Sequence, residues 1–311
     1  MKILFLFADE NHCDYACDGV YIGLKNLKHI VHAVPIPMAL YKAKPEHFYS
    51  RVNGFYKNYF VDNEPITHNI LDNDYDAIFM ESAGVPYKLF PFYRKSSPHL
   101  DRLLNSSIPK CCLLGNDTFT YQPLPNVRYD YKCKMAIREK QLQTPIVNVP
   151  YINDFPLHFT VPEAWIKYVP EKERSKDMFL SMSPSNAARK DICTHFPLQH
   201  YNELSTYIGK IREHRYGISV YGDGFTCQRD AEIGGNSLLC IQSHPKWEGE
   251  SGYYGNCEAI YFNDYNDLVK RIAELEKNGE YEAQLKRCYQ FTKENLTCEA
   301  QAEKLLRWTL S

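Results

Sequence analysis

Nowhere in the 311 residues does an apolar run approach the roughly 18 that a membrane-crossing helix needs, so no membrane span is expected. The opening stretch MKILFLFADENHCDY reaches Asp9 and Glu10 after an apolar run too short for the core of a secretion signal, and a cytoplasmic protein is expected. Charge of one sign is lacking too. With 36 Lys and Arg against 38 Asp and Glu, the formal charge of −2 gives no global basic field for gripping nucleic acid by its phosphates, and only a local patch stays open. Cys13 and Cys17 form a C-x3-C pattern beside His12, yet no second Cys or His pair at zinc-ligand spacing follows, and no metal is expected. Short solenoid repeats and low-complexity tracts are also missing.

What is present is the composition of a globular chain long enough for two α/β domains. The 11 cysteines lie mostly in apolar runs such as KCCLLG and SLLCIQ, where cysteine serves as a small buried hydrophobe. Tyrosine is abundant at 24 residues, which suits stacking on sugars or bases and equally reflects genome composition.

The order of apolar runs gives the fold class. KILFLFA (2–8) reads as a buried parallel strand, GVYIGLKNL as a helix with Val20, Leu24 and Leu27 on one side, and HIVHAVPI as a second strand. YDAIFMES (75–82), PKCCLLGND (109–117) and TPIVNVPYI (144–152) read as further strands. Polar clusters follow three of them, at Asp9-Glu10-Asn11, Glu81-Ser82 and Asn116-Asp117, and in an open α/β sheet such strand ends form one ligand-binding rim. The proline-rich, then charged, stretch 153–176 reads as an interdomain linker. Alternation then restarts: strand DMFLSMS, helices RKDICTHF and YNELSTYIGKIREHR, strand GISVYGD, helix CQRDAEIGG, strand SLLCIQ, helix NDLVKRIAELEKN, and a helical tail broken near Asn295.

Two corners carry candidate chemistry. FLSMSPSNAARKD runs from a strand through Ser183 into a helix opened by Arg189 and Lys190, where free backbone N–H groups and two cations favour an anion; a plain capping turn with a solvated basic face has the same residues. One strand further on, YGDGF supplies Gly222 and Gly224, which let backbone approach a ligand closely. Arg229 and Glu232 follow on one helix face, suited to a diphosphate and a ribose diol respectively, or else forming a surface ion pair worth about 0.3 kcal/mol.

Strand, YGDG, an Arg-x-x-Glu helix, a glycine corner and SLLCIQ together resemble the C-terminal half of the GT-B glycosyltransferases, particularly the group 1 set that includes the CgeB-like proteins. GNCEAIYFNDYNDLVKRI (255–272) resembles the segment that follows in that set, and PLHFTVPEAWI (156–166) its linker. The resemblance covers mainly residues 156–310. It implies two Rossmann-like α/β domains facing across a cleft: an acceptor domain at 1–155, a linker at 156–176, a donor domain at 177–295, and a C-terminal helix at 296–311 that crosses back to the first domain.

The resemblance implies that Arg229 binds the diphosphate of a nucleotide-sugar, most simply a UDP-sugar, that Glu232 holds its ribose, and that Arg189 and Lys190 lie near the same phosphates. Asn236-Ser237 replaces the family's Cys-Gly corner, and Gly224 stands where retaining members carry a first Glu, with Asp223 adjacent. No cofactor beyond the nucleotide-sugar co-substrate is implied, and transfer with retention needs no dedicated base; in an inverting enzyme Asp9, Glu10, Asp14, Asp18 or Asp117 would serve, although Asp9 and Asp18 also suit a turn and a helix cap. His244 is placed to touch the donor, and Tyr254, Gly255 and Asn256 to form a phosphate-facing turn. The acceptor is left open among glycan, lipid-linked sugar, protein, small molecule and modified DNA. A non-catalytic bilobed binding protein, or another two-Rossmann enzyme such as an epimerase, is the competing reading.

Overall fold

The computed structural model describes residues 1–7, 15–34, 74–81, 102–114, 133–137, 154–199, 204–221, 227–242 and 258–311. They form two compact units, Met1–His158 together with Gln301–Ser311, and Phe159–Ala300.

The first unit holds six parallel strands, β1 (Lys2–Leu6), β2 (Ile30–Val34), β3 (Ala77–Glu81), β4 (Lys110–Leu114), β5 (Cys133–Ile137) and β6 (Asp154–Pro156), in the order β2-β1-β3-β4-β5-β6. Ile3 to Leu6 of β1 can be apolar without a break because both faces of the strand are covered. Phe5 and Phe7 stack at 4.5 Å, and Tyr21 of helix α1 (Tyr15–Asn26) meets their edges at 5.5 and 5.3 Å. The strands that precede the three polar clusters, β1, β3 and β4, are neighbours, and the sheet order reverses between β1 and β3. Their carboxyl ends share one rim, the usual ligand edge of a doubly wound sheet. In the same unit Lys134 of β5 donates to the carbonyl oxygen of Trp308 and, at 2.9 Å, to Ser311 Oγ, which puts a cation at a helix C-terminus.

The second unit holds β7 (Lys176–Phe179), β8 (His214–Ser219), β9 (Leu238–Gln242) and β10 (Ile260–Phe262), parallel and in sequence order. Its helices are α2 (Ala187–His195), α3 (Leu204–Glu213), α4 (Gln228–Gly234), α5 (Tyr265–Asn278) and α6 (Tyr281–Asn295). Helix α7 (Cys298–Leu310) follows after a break at Leu296-Thr297, and its residues from Gln301 group with the first unit. Of the stretch 153–176 read as a linker, residues 159–176 group with the second unit, and Val161 exchanges backbone hydrogen bonds with Leu296 and Cys298 at 3.0 and 2.9 Å. Arg174, 9% exposed, closes this fastening. Its guanidinium donates to the carbonyl oxygens of Val169, Arg212, His214 and Asn236, and burial pushes its pKa down.

Candidate functional site

Two strand-to-helix corners of the second unit meet on residues 219–221, at and just past the end of β8. At the first, Asn186 caps α2 by accepting the Arg189 backbone N–H at 2.9 Å, and its amide donates to the Tyr221 carbonyl at 3.0 Å. The Arg189 side chain is committed to the backbone: Nε donates to the carbonyls of Tyr221 at 3.1 Å and Val220 at 3.3 Å, and the two Nη groups reach Val220 O, Ser185 Oγ and Ser183 O. Arg189, expected beside a phosphate, thus straps the end of β7 to the end of β8. Ser183 and Lys190 lie exposed beside it.

At the second corner α4 starts on Cys227. Asp230, 1% exposed, accepts the Cys227 backbone N–H at 2.8 Å, the Cys227 thiol at 3.2 Å and the Ser219 hydroxyl. This is the reciprocal N3-to-N-cap arrangement, with cysteine in the place usually held by Ser or Thr. Burial and then the Asp230 charge push the Cys227 thiol up to about 12, which favours the neutral thiol that Asp230 accepts from. Helix and strand approach closely because β8 carries Gly217: a Cβ there would stand 2.5 Å from Ile233 Cγ2.

Arg229 and Glu232 share this helix as their spacing predicts, and neither is a surface residue of the ordinary kind. The half-buried Arg229 makes, among the described residues, only a 3.8 Å contact from Nη1 to Cys227 Sγ and no ion pair at bonding distance. Burial opposes its charge, but Cys227, Tyr207, Glu232 and Asp230 outweigh it and the pKa is raised. Glu232 is 2% exposed, and its Oε2 accepts the Tyr207 hydroxyl of α3 at 2.5 Å. Burial raises the Glu232 pKa from 4.5 to about 7, with Tyr207 and Arg229 opposing the rise and Asp230 adding to it. The corner therefore holds a charged guanidinium with most donors unspent beside a carboxyl poised near neutrality. Such a pair can take a diphosphate by bidentate hydrogen bonds and a hydroxyl by the carboxyl oxygen.

The corner after α4 depends on Asn236, which stands where the resembling family has Cys. Its Oδ1 accepts from Lys167 N at 3.2 Å and Arg212 Nε at 2.8 Å, and its Nδ2 donates to the carbonyls of Trp165 and Glu232. Ser237 Oγ donates to the carbonyls of His214 and Arg215 at 2.8 and 2.9 Å. Side chains that bond backbone on several sides do here what a tight glycine corner does elsewhere.

Asp18 lies in the first turn of α1 and is 3% exposed. Asp9, Glu10, Asp14, Asp117, Gly222, Asp223, Gly224, His244, Tyr254, Gly255 and Asn256 lie outside the described residues. Sequence reading missed Tyr207, Asp230 and Ser219, whose roles depend on contacts between elements; the Cys227-to-Asp230 spacing was the one local signal. Among the described residues no group of three His, Cys, Asp or Glu is placed to hold a metal ion, and no helix is long and apolar enough to cross a membrane.

No family model matches the sequence, and no curated protein does. Solved structures match along the whole chain. An alpha-glucosyltransferase in complex with UDP and a 13-mer DNA containing a central A:G mismatch gives a TM-score of 0.59 at 11% identity, covering 100% of both chains. The chain shares the fold of that enzyme. An alpha-glucosyltransferase in complex with UDP-glucose and DNA containing an abasic site gives 0.58 at 8% identity, over 100% of this chain and 99% of the other. A glycosyltransferase from Rickettsia africae ESF-5 gives 0.56 at 10%, over 99% and 97%. The mixed α/β architecture with parallel sheets is consistent with a GT-B-like fold, and the two corners at the end of β8 belong to the second unit.

Proposed function

We propose that this chain transfers a sugar from a nucleotide-sugar, a UDP-sugar, to an acceptor hydroxyl. The observation that carries the proposal is the unspent Arg229 guanidinium beside Glu232, at a strand-end corner of a chain that matches UDP-bound glycosyltransferases over its full length. Arg229 takes the diphosphate and stabilises the charge that develops on it as the sugar leaves. Glu232 Oε1 takes a ribose hydroxyl. The strap of Arg189 fixes the turn from which α2 starts, so that its N-terminal N–H groups add to the positive potential without a metal. In transfer with retention the acceptor hydroxyl attacks from the face that the diphosphate leaves, and a phosphate oxygen takes its proton; a dedicated base is then unnecessary.

Residues 1–155 are the proposed acceptor-binding part. Two of the structurally similar enzymes are complexes with DNA, which makes duplex DNA the first acceptor to test, ahead of glycans, lipid-linked sugars, proteins and small molecules. The test is a thermal-shift panel of nucleotides and nucleotide-sugars, followed by slow hydrolysis of the donors that bind and turnover with DNA. A rise in melting temperature confined to one nucleotide series supports the proposal, and silence across the panel overturns it.

A further inference from the structure

Tyr207 lies outside every motif that points to the donor corner, yet its hydroxyl bonds directly to Glu232 there. Its ring meets Phe179, the fully buried last residue of β7, edge-on with centroids 5.6 Å apart and planes at 67°. The sheet therefore fixes the ring, and the ring delivers the hydroxyl to Glu232 Oε2 at 2.5 Å. Among the described residues, the charged and titratable groups facing Glu232 are Tyr207 from α3 and Arg229 and Asp230 from α4. Asp230 is occupied with Ser219 and Cys227, and among the described residues Glu232 Oε1 has no hydrogen-bond donor. A carboxylate with one oxygen tied down and the other unclaimed is oriented in advance for one partner.

We propose that Tyr207 is a positioning residue for donor binding: it holds Glu232 Oε2 so that Oε1 is the oxygen presented to the ribose hydroxyls of a nucleotide. The inference rests on the nucleotide-sugar reading above. A hydrogen bond donated to the ionised carboxylate also opposes the effect of burial, so the same hydroxyl keeps Glu232 charged at a pH where it would otherwise be protonated.

The variant is Tyr207→Phe in the full chain, which keeps the ring against Phe179 and removes only the hydroxyl. UDP and 2′,3′-dideoxy-UDP are the probes, titrated by calorimetry between about pH 5.5 and about pH 9, while the Glu232 carboxyl is followed by carbon-13 NMR with Glu232→Gln as the assignment control. The expected result is UDP binding about 10-fold weaker near neutral pH, a smaller preference for UDP over the dideoxy compound, and upward movement of both the binding midpoint and the carboxyl titration. A purely structural tyrosine would lower the melting temperature and leave the dideoxy preference and both midpoints where they are; that result overturns the proposal. If the carboxyl titration moves while UDP binding and the dideoxy preference do not, Tyr207 acts on Glu232 but Glu232 holds no ribose, which overturns the positioning role and the assignment of Glu232 together. A parent chain that binds no nucleotide at any pH overturns the nucleotide-sugar reading itself.

Discussion

Arg189 Nε donates to the carbonyl oxygen of Tyr221 at 3.1 Å, across the gap between the end of β7 and the end of β8. Arg229, by contrast, hydrogen-bonds only to the Cys227 thiol among the described residues. The two arginines are chemically equal in the sequence and physically opposite in the fold, and substitution separates them. Arg189→Ala leaves the Val220 and Tyr221 carbonyls without these donors and is expected to lower unfolding free energy by about 1–3 kcal/mol. Arg229→Ala is expected to change stability by less than about 1 kcal/mol, because it removes a half-buried charge that has no ion pair to lose. Urea unfolding of both variants checks the contrast.

The fold was largely legible, because long apolar runs and capped helices are local signals. The break after Asn295 is an example: α6 ends there and α7 starts at Cys298. The three-residue strands β6 and β10 carry too few residues to show a period, and the five residues of β5, CKMAI, are interrupted by a lysine. At the site, spacing was enough to pair Arg229 with Glu232. It could not separate Arg229 from Arg189, since what each guanidinium touches is decided by strands far apart in sequence.

Two glycines give a test of packing. A Cβ on Gly217 would stand 2.5 Å from Ile233 Cγ2, whereas one on Gly209, inside α3, would meet nothing within 4 Å. Gly217→Ala is expected to cost about 1–3 kcal/mol through the displaced α4. Gly209→Ala is expected to add about 0.5–1 kcal/mol from helix propensity alone. Chemical denaturation should show opposite signs.

Arg174 is expected to be the least replaceable cation of the second unit. Four carbonyl oxygens, on residues 169, 212, 214 and 236, depend on it in a buried setting. Arg174→Met keeps the aliphatic length but removes every hydrogen bond that the guanidinium donates to these carbonyls, at an expected cost of about 3–5 kcal/mol. A fall in soluble yield or a melting temperature lower by about 6 °C or more checks this.

Glu232 should cost the free protein stability at high pH. Its folded pKa of about 7 lies above the ordinary 4.5, so between these values the folded chain keeps a proton that the unfolded chain has lost. Stability from this group is therefore greatest below the unfolded value, declines as pH rises through that window, and stays low above it. Glu232→Gln mimics the protonated form and keeps the Tyr207 contact within reach. It is expected to match the parent near pH about 5 and to melt about 2–4 °C higher near pH about 8. Equal melting curves at both pH values would show that Glu232 ionises as freely in the fold as out of it.

The most direct measurement is the affinity of UDP for the parent chain and for Arg229→Ala, by calorimetry at neutral pH. The account predicts saturable binding by the parent and a loss of about 10-fold or more in the variant, with the melting temperature of the free protein little changed. Equal affinity in the two chains, or no binding of UDP to the parent, would contradict it.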